Sequence, residues 1–303
     1  MLKHIIAGVA ALALTASTAT AQIQVTDQFS VTGFIDMSAV SNDGELGMAL
    51  DQFEIDLMFD MGEGLGVQAD VQTAGGATDV EQAFMTYDFG DGLSLVAGKY
   101  LSVSGWETAE PTGLYQYSTS ATLVYGGYQH GVGLSYKTDM FGLFGSVVTS
   151  VWDGTDTSLE EPGFEAQLTL TPADGFVAKV AYLYEDMPEA VGDFSTGLLN
   201  GWAMYETGPL TLAAEVNLLT NWTADGNDGT GLLGMVNYGL TDQLGITGRY
   251  SSLDLDFAAD TVSEFTISPS YAITDNWLIV TEAKFVSEAE DTAHFALESL
   301  ITF

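Results

Sequence analysis

From residue 22 onward, the chain consists mainly of segments of about nine residues in which apolar and polar side chains alternate. In the segment 210–218, for example, Thr211, Glu215 and Asn217 lie between apolar residues at every even position. Successive side chains of a β-strand point to opposite faces of the sheet, so each segment predicts a strand with one apolar and one polar face. The 3.6-residue period of a helix is almost absent.

Two kinds of connection take turns between these segments. Short turns rich in Gly, Pro, Asp or Asn fall near residues 61–64, 90–92, 139–142, 172–175, 207–209, 241–243 and 274–276. Longer acidic connections fall near residues 41–49, 73–79, 101–124, 152–163, 185–197, 221–229, 252–262 and 286–292. Together they predict an all-β fold, a transmembrane antiparallel β-barrel of about sixteen strands with short periplasmic turns and long extracellular loops. Fourteen or eighteen strands stay open, and a soluble β-sandwich is disfavoured because it has no reason to sort its loops by length.

The two ends of the chain fit an exported barrel. Lys3, the apolar run 5–14 and the small-residue site at 19–21 have the layout of a cleavable signal peptide, and the run is too short for a membrane anchor. We therefore assign residues 1–21 to a signal peptide and residues 22–303 to a single barrel domain. The last segment places the terminal Phe303 on the same face as Phe295 and Leu297.

Composition excludes several other classes of protein. The chain has 6 Lys and Arg residues against 42 Asp and Glu, so nucleic acid is excluded as a partner. It has no Cys, so disulfides do not hold it together. With 47% hydrophobic residues it is also too apolar for a disordered acidic chain. Strands that place one face in lipid and the other in water reconcile high charge with high apolarity.

Two stretches resemble a known family. Residues 50–60 read LDQFEIDLMFD, and residues 81–117 contain EQAFMTYDFG, VAGKY and WETAEP. They are similar to the DQ-x-E-x-D, LEQAY-type, TYDFG-type, AGK-type and W-E-x-x-E-P segments of the OmpL-like β-barrel porins. The resemblance covers roughly the first 130 residues well and implies an outer-membrane pore, with a homotrimer as in general porins. Where the family commonly has Leu-Thr-Pro, this chain has Leu-Ser-Val at 101–103, so we expect a less rigid start to that loop.

A barrel of this size has an interior too wide for side chains of the wall to fill. The longest connection, residues 101–124, follows the fifth predicted strand, as the inward-folded loop of general porins does. We predict that it folds into the interior and narrows the pore, although an outward surface loop is the open alternative. The candidate constriction residues are Trp106, Glu107, Glu110, Tyr115 and Tyr117.

Alternation also predicts which charged side chains face the interior. Charges facing lipid are costly, so inward placement needs no functional reason. The predicted pore-lining residues are Glu54, Asp56, Asp70, Lys137, Glu165, Lys179, Glu215, Arg249, Glu264, Glu282 and Lys284. A sharper hypothesis is that Arg249 and one or two lysines face Glu107 and Glu110 and create a transverse field.

These features favour a porin for passive diffusion of ions and small hydrophilic solutes, with a preference for cations because carboxylates are in excess. Its partners would be outer-membrane lipid and those solutes, and no cofactor is required. The alternative is a structural or adhesive barrel without transport, with calcium on acidic loops at 225–228 or 254–260. Catalysis is disfavoured because His130 and His294 belong to no recognisable nucleophile motif.

Overall fold

A computed structural model describes residues 22–42, 45–108, 110–121, 124–187, 192–288 and 291–303. The predicted signal peptide at residues 1–21 lies outside the described residues. The fold is a closed barrel of sixteen antiparallel strands, which confirms the predicted fold class. Among the described residues, no helical segment combines the length and apolarity needed to cross a membrane.

A short first strand, β1 (Ile23–Thr26), pairs with the start of β2 and precedes the barrel. The barrel strands are β2 (Phe29–Asn42), β3 (Glu45–Gly62), β4 (Leu65–Ala74), β5 (Ala77–Gly90), β6 (Leu93–Leu101), β7 (Tyr128–Lys137), β8 (Phe141–Val148), β9 (Gly163–Ala173), β10 (Phe176–Met187), β11 (Phe194–Thr207), β12 (Leu210–Thr220), β13 (Gly229–Gly239), β14 (Leu244–Leu255), β15 (Val262–Thr274), β16 (Trp277–Ser287) and β17 (Thr292–Thr302). Each barrel strand pairs with its neighbours in sequence, and β17 pairs with β2 to close the sheet.

The seven short turns lie where the sequence predicts them, at the end of the barrel that also holds Gln22 and Phe303. Gly175 shows why one of these turns requires glycine. Its φ is +73°, and a Cβ there would lie 2.2 Å from the carbonyl oxygen of Glu206. We call this the turn end of the barrel and the opposite end the loop end.

Two predicted long connections, 41–49 and 73–79, are wrong. In both places the strands extend through most of the predicted connection, with β2 ending at Asn42 and β3 starting at Glu45, and β4 ending at Ala74 and β5 starting at Ala77. Gly75 and Gly76 both have positive φ, so they form a two-residue hairpin turn that the sequence analysis treated as a loop. The exposed Leu46 and Met48 lie in the extended β2–β3 hairpin, where the sequence analysis expected an irregular loop.

The outer face of the barrel is apolar, as the alternation predicts. In β12, Leu212, Val216 and Leu218 are exposed, whereas the intervening Glu215 and Asn217 are buried in the interior. Exposed rings lie near the turn end of many strands, as in the aromatic girdles of membrane barrels. They include Phe59, Phe89, Tyr136, Tyr205, Tyr238, Tyr271 and Trp277.

The C-terminal residue takes part in closing the barrel. Gly33 N donates to Phe303 O and Phe303 N donates to Gly33 O, both at 2.9 Å. A Cβ on Gly33 would lie 2.9 Å from Cζ of the Phe303 ring and 2.2 Å from the carbonyl oxygen of Glu54. The seam between β17 and β2 therefore depends on a glycine at position 33.

This contact predicts that Gly33→Ala lowers the free energy of unfolding by about 1–3 kcal/mol, because the added methyl group must displace backbone. The measurement is urea unfolding of the protein in lipid vesicles, followed by tryptophan fluorescence. Gly234→Ala is the matched control, since Gly234 lies between the exposed Leu232 and Val236 and a Cβ there meets nothing within 4 Å. Equal stability of the two variants would contradict the role given to Gly33.

Candidate functional site in the barrel interior

The connection between β6 and β7, residues 102–127, crosses the interior of the barrel, and we call it the interior loop. Its backbone bonds with inward-facing side chains of several strands. Gly105 N donates to Asn200 Oδ1 on β11 at 3.1 Å, and Ala121 N donates to Ser251 Oγ on β14 at 3.2 Å. Ser118 N donates to Glu282 Oε2 on β16 at 2.9 Å. The loop therefore folds inward and not over the surface.

The five predicted constriction residues all lie on the interior loop but point to different parts of the wall. Trp106 is buried and stacks on Tyr115 with ring centroids 6.2 Å apart, beside Trp202 of β11. The Tyr117 hydroxyl is 3.1 Å from Ser38 Oγ on β2. Glu107 and Glu110 lie against different groups, described below, so the five residues do not form one ring.

Glu107 forms a buried ion pair with Arg249 of β14. Arg249 Nη1 lies 2.7 Å from Glu107 Oε1, and both side chains are at most 1% exposed. Arg249 also donates to the carbonyl oxygens of Ser118, at 2.7 Å, and Thr119, at 3.1 Å. Arg249 therefore faces Glu107, as the sequence hypothesis expects, and it anchors the interior loop to β14. The ion pair of Lys284 is with Glu264 and not with Glu107 or Glu110.

Several other predicted pore-lining residues also hold the interior loop. Glu215 accepts a hydrogen bond from Trp106 N at 3.3 Å, and Glu165 accepts one from the Ser102 hydroxyl. Glu282 accepts the bond from Ser118 N given above. These carboxylates face the interior and act there as hydrogen-bond acceptors for the loop.

The inward-facing basic residues lie on β7, β10, β14 and β16. Lys284 Nζ lies 3.4 Å from Glu264 Oε1, and Glu264 also lies 3.8 Å from Arg249. Lys179 lies over the ring of Trp202, 5.2 Å from its centroid. Lys137 is exposed near the turn end of β7. The fifth basic residue of the described chain, Lys99, donates to Val80 O at 2.8 Å.

Carboxylates gather where the interior loop meets β3, β4 and β5. Oxygen atoms of Glu54, Asp56 and Asp70 lie within 4.8 Å of one another, and so do those of Glu54, Glu81 and Glu110. The ion pairs of the described residues, those of Arg249 and Lys284, do not reach this group. Burial, followed by the charge of Glu81, raises the pKa of Glu110 to about 7. Such oxygen-rich groups are the places in the described structure that can hold a metal ion.

The sequence analysis missed five inward carboxylates: Glu81, Asp51, Asp36, Glu298 and Glu185. Glu185 lies near the loop end of β10, where the sequence analysis expected a loop to begin. Glu81 lies in a β-bulge, because Asp70 pairs with Gln82 while Val71 pairs with Val80. Asp51 lies in a second bulge, opposite the step between Asp36 and Met37. A bulge changes the parity of a strand, so alternation could not find these two. Asp36 and Glu298 follow simple alternation and could have been predicted from it.

The acidic loops proposed for calcium show ordinary turn contacts. Asp228 Oδ1 accepts a bond from Asn221 N at 2.8 Å, and Asp254 Oδ1 accepts one from the Thr261 hydroxyl at 3.0 Å. In the part of the chain that the structure describes, the groups of three carboxylates close enough to share an ion lie in the barrel interior and not in these loops.

A closed sixteen-stranded barrel with an apolar outer face, a charged interior and an inserted loop defines a porin-type β-barrel. A family described as "Putative beta-barrel porin-2, OmpL-like" matches residues 46–300. The chain belongs to this family. No curated protein matches it.

Solved porin structures share the fold at low sequence identity. The outer-membrane channel DcaP of Acinetobacter baumannii is 15% identical, with a TM-score of 0.71 over 91% of this chain and 97% of that one. OmpF of Salmonella typhi is also 15% identical, with a TM-score of 0.73 over 91% and 97%. The anion-selective porin of Comamonas acidovorans is 9% identical, with a TM-score of 0.66 over 91% and 99%.

The buried ion pair predicts that Arg249→Ala releases the interior loop, because it leaves the Glu107 carboxylate without its counter-charge at a cost of about 3–5 kcal/mol. The expected result is faster cleavage of the loop by a protease that cuts after Trp and Tyr, measured on the folded protein in detergent. Lys137→Ala is the control, since it removes the same charge from an exposed position. Equal cleavage rates in both variants would show that Arg249 does not anchor the loop.

Proposed function

We propose that the protein is an outer-membrane porin that lets ions and small hydrophilic solutes diffuse passively and prefers cations. The observation that carries the proposal is the separation of charges inside the barrel. The region 29–90 and strand β17 contain no Lys or Arg. Yet they contribute seven inward carboxylates, namely Asp36, Asp51, Glu54, Asp56, Asp70, Glu81 and Glu298.

The basic residues of the interior do not neutralise the carboxylates of the region 29–90 and strand β17. Arg249 and Lys284 are already paired with Glu107 and Glu264, and Lys137 and Lys179 lie on β7 and β10, outside the region 29–90 and β17. A passage bordered by uncompensated carboxylates concentrates cations and repels anions. The preference should weaken as salt rises, because the screening length falls from about 10 Å at 0.1 M to about 3 Å at 1 M.

The fold cannot supply the selectivity by itself. The porin of Comamonas acidovorans shares the barrel and is described as anion-selective. Selectivity in barrels of this shape must therefore depend on the side chains that face the passage. In this chain those side chains are predominantly acidic, which supports a cation preference.

The interior loop is the proposed constriction. It bonds to β11, β12, β14 and β16 on one side and approaches Ser38 of β2 through Tyr117. A segment held at so many points across the lumen leaves only part of the cross-section to solute. We therefore propose that only small solutes pass.

Placement in the cell belongs to the same proposal. The apolar outer face would contact outer-membrane lipid, a signal peptide at residues 1–21 would direct export, and the termini would lie on the periplasmic side. A homotrimer is proposed from the resemblance to general porins. No catalytic step is required, since flux follows the gradient of the solute. A structural or adhesive barrel differs from this proposal in having no open passage.

The proposal predicts that single channels in a planar bilayer under a KCl gradient have a reversal potential whose sign shows that K⁺ passes more readily than Cl⁻. Asp36→Asn combined with Glu298→Gln should reduce that potential, because it removes two of the inward carboxylates that have no basic partner. Asp225→Asn combined with Asp260→Asn is the control, with the same change of charge in outer loops. Anion selectivity of the native protein would refute the preference, and the absence of conductance steps would favour the structural alternative.

A further inference from the structure

Glu54 of β3, Glu81 of β5 and Glu110 of the interior loop form a group that we call the loop–wall cluster. Three separate segments of chain bring these carboxylates together, with oxygen atoms all within 4.8 Å of one another. Asp56 and Asp70 adjoin it through Glu54. The cluster thus joins the loop to the wall on the side of the barrel away from Arg249.

Several oxygen atoms in and beside the cluster have hydrogen-bond donors. Gln52 Nε2 donates to Glu54 Oε2 at 2.9 Å, and the Tyr128 hydroxyl donates to Glu110 Oε1. Asp70 accepts from Gln82 Nε2 at 2.7 Å and from Gln68 Nε2. These neutral donors orient the carboxylates but supply no positive charge.

Two buried oxygen atoms in and beside the group have no donor. Glu81 is 7% exposed, and its Oε2 has no hydrogen-bond partner among the described residues. Asp56 Oδ1, next to the cluster, is unpartnered in the same sense. A buried carboxylate oxygen without a donor is costly, and three carboxylates packed together without a basic residue need protons or a cation to balance their charge.

We propose that the loop–wall cluster binds a divalent cation of the calcium type, with Glu54, Glu81 and Glu110 as its protein ligands. Calcium takes oxygen ligands at about 2.3–2.6 Å, so two ligands on opposite sides of the ion lie about 4.6–5.2 Å apart. Oxygen atoms within 4.8 Å of one another can therefore share one ion with small side-chain movements. Water inside the barrel completes the six to eight ligands that calcium accepts.

Calcium fits this group better than magnesium does. Magnesium needs near-ideal octahedral geometry at about 2.0–2.1 Å and gives up its water reluctantly. The three ligands come from two strands and a loop, and their positions are set by the barrel and not by a dedicated binding loop. A cation that tolerates irregular coordination suits such an arrangement.

The bound ion would give the interior loop a charged anchor on the β3–β5 side, in addition to its hydrogen bonds elsewhere. Arg249 holds Glu107 on the β14 side, and the ion would hold Glu110 on the β3–β5 side. Glu107 and Glu110 are three residues apart, so the loop would be fixed from both sides within one short segment. This binding does not rest on the porin function, because a barrel with no open passage for solutes would have the same cluster.

The test uses terbium luminescence of the purified protein in detergent after removal of metal with EDTA. Terbium replaces calcium at oxygen sites and emits when a nearby tyrosine is excited, and the Tyr128 hydroxyl contacts Glu110. We expect saturable emission that calcium reverses and that magnesium reverses only at much higher concentration. In Glu81→Gln combined with Glu110→Gln, the affinity for calcium should fall at least about tenfold.

Asp36→Asn combined with Glu298→Gln is the matched control. It removes two carboxylates from the same interior but leaves the cluster intact, so its calcium affinity should stay close to that of the native protein. Folding of every variant is checked by the shift in gel migration on heating. If Glu81→Gln with Glu110→Gln does not fold, Glu110→Gln alone, in the loop, is measured in its place.

Three results would overturn the proposal. The native protein could show no saturable binding, the cluster variant could keep its affinity, or both double variants could lose affinity equally. The last result would mean that cations accumulate in the acidic interior without a specific site. Because binding is measured in detergent, it is independent of the reversal potential, so failure here and failure of the porin proposal are distinguishable.

Discussion

The structure depends on one constraint, which is that backbone N–H and C=O groups surrounded by lipid must be paired within the protein. A closed antiparallel sheet satisfies this without any edge, and the seam between Gly33 and Phe303 completes the pairing where the first and last barrel strands meet. Once the sheet is closed, alternate side chains have only two environments, lipid and interior. Many apolar residues of the strands face the lipid, and the buried charged residues lie in the interior.

The interior sets a second requirement, which is that the backbone of the interior loop needs hydrogen-bond partners. Sixteen strands enclose a space that wall side chains cannot fill, and the interior loop crosses that space with polar backbone of its own. Its N–H groups bond to Asn200, Glu215, Ser251 and Glu282. Part of the acidic character of the sequence is therefore structural, because Glu165, Glu215 and Glu282 are acceptors for the loop. The remaining carboxylates, on β2 to β5 and β17, have no such role and carry the electrostatic function that we propose.

The barrel, its strand number, its short turns and the faces of its strands could be predicted from the sequence, because the two-residue period and the glycine-rich turns are local signals. The reversal at Gly75 and Gly76 was missed because acidic and small residues around it resembled a loop. Glu81 and Asp51 were missed because bulges change strand parity. The contact between Glu107 and Arg249 joins residues 142 positions apart, and no local pattern determines which wall residue a loop will meet. The separation of the constriction residues into different contacts was unpredictable for the same reason.

The interior loop lies between two unlike supports, and this difference matters for its behaviour. On the β14 side, Arg249 is a permanent cation with its donors directed at Glu107 and at loop carbonyl oxygens, so this contact is the same at any pH at which carboxylates are ionised. On the β3–β5 side, Glu110 faces carboxylates with no fixed cation, and its raised pKa of about 7 means that it keeps a proton part of the time at neutral pH. The first support fixes where the loop lies, whereas the second depends on what occupies the cluster. Any control over the width or charge of the passage should therefore act through the carboxylate side, where the charge of the protein itself is not balanced.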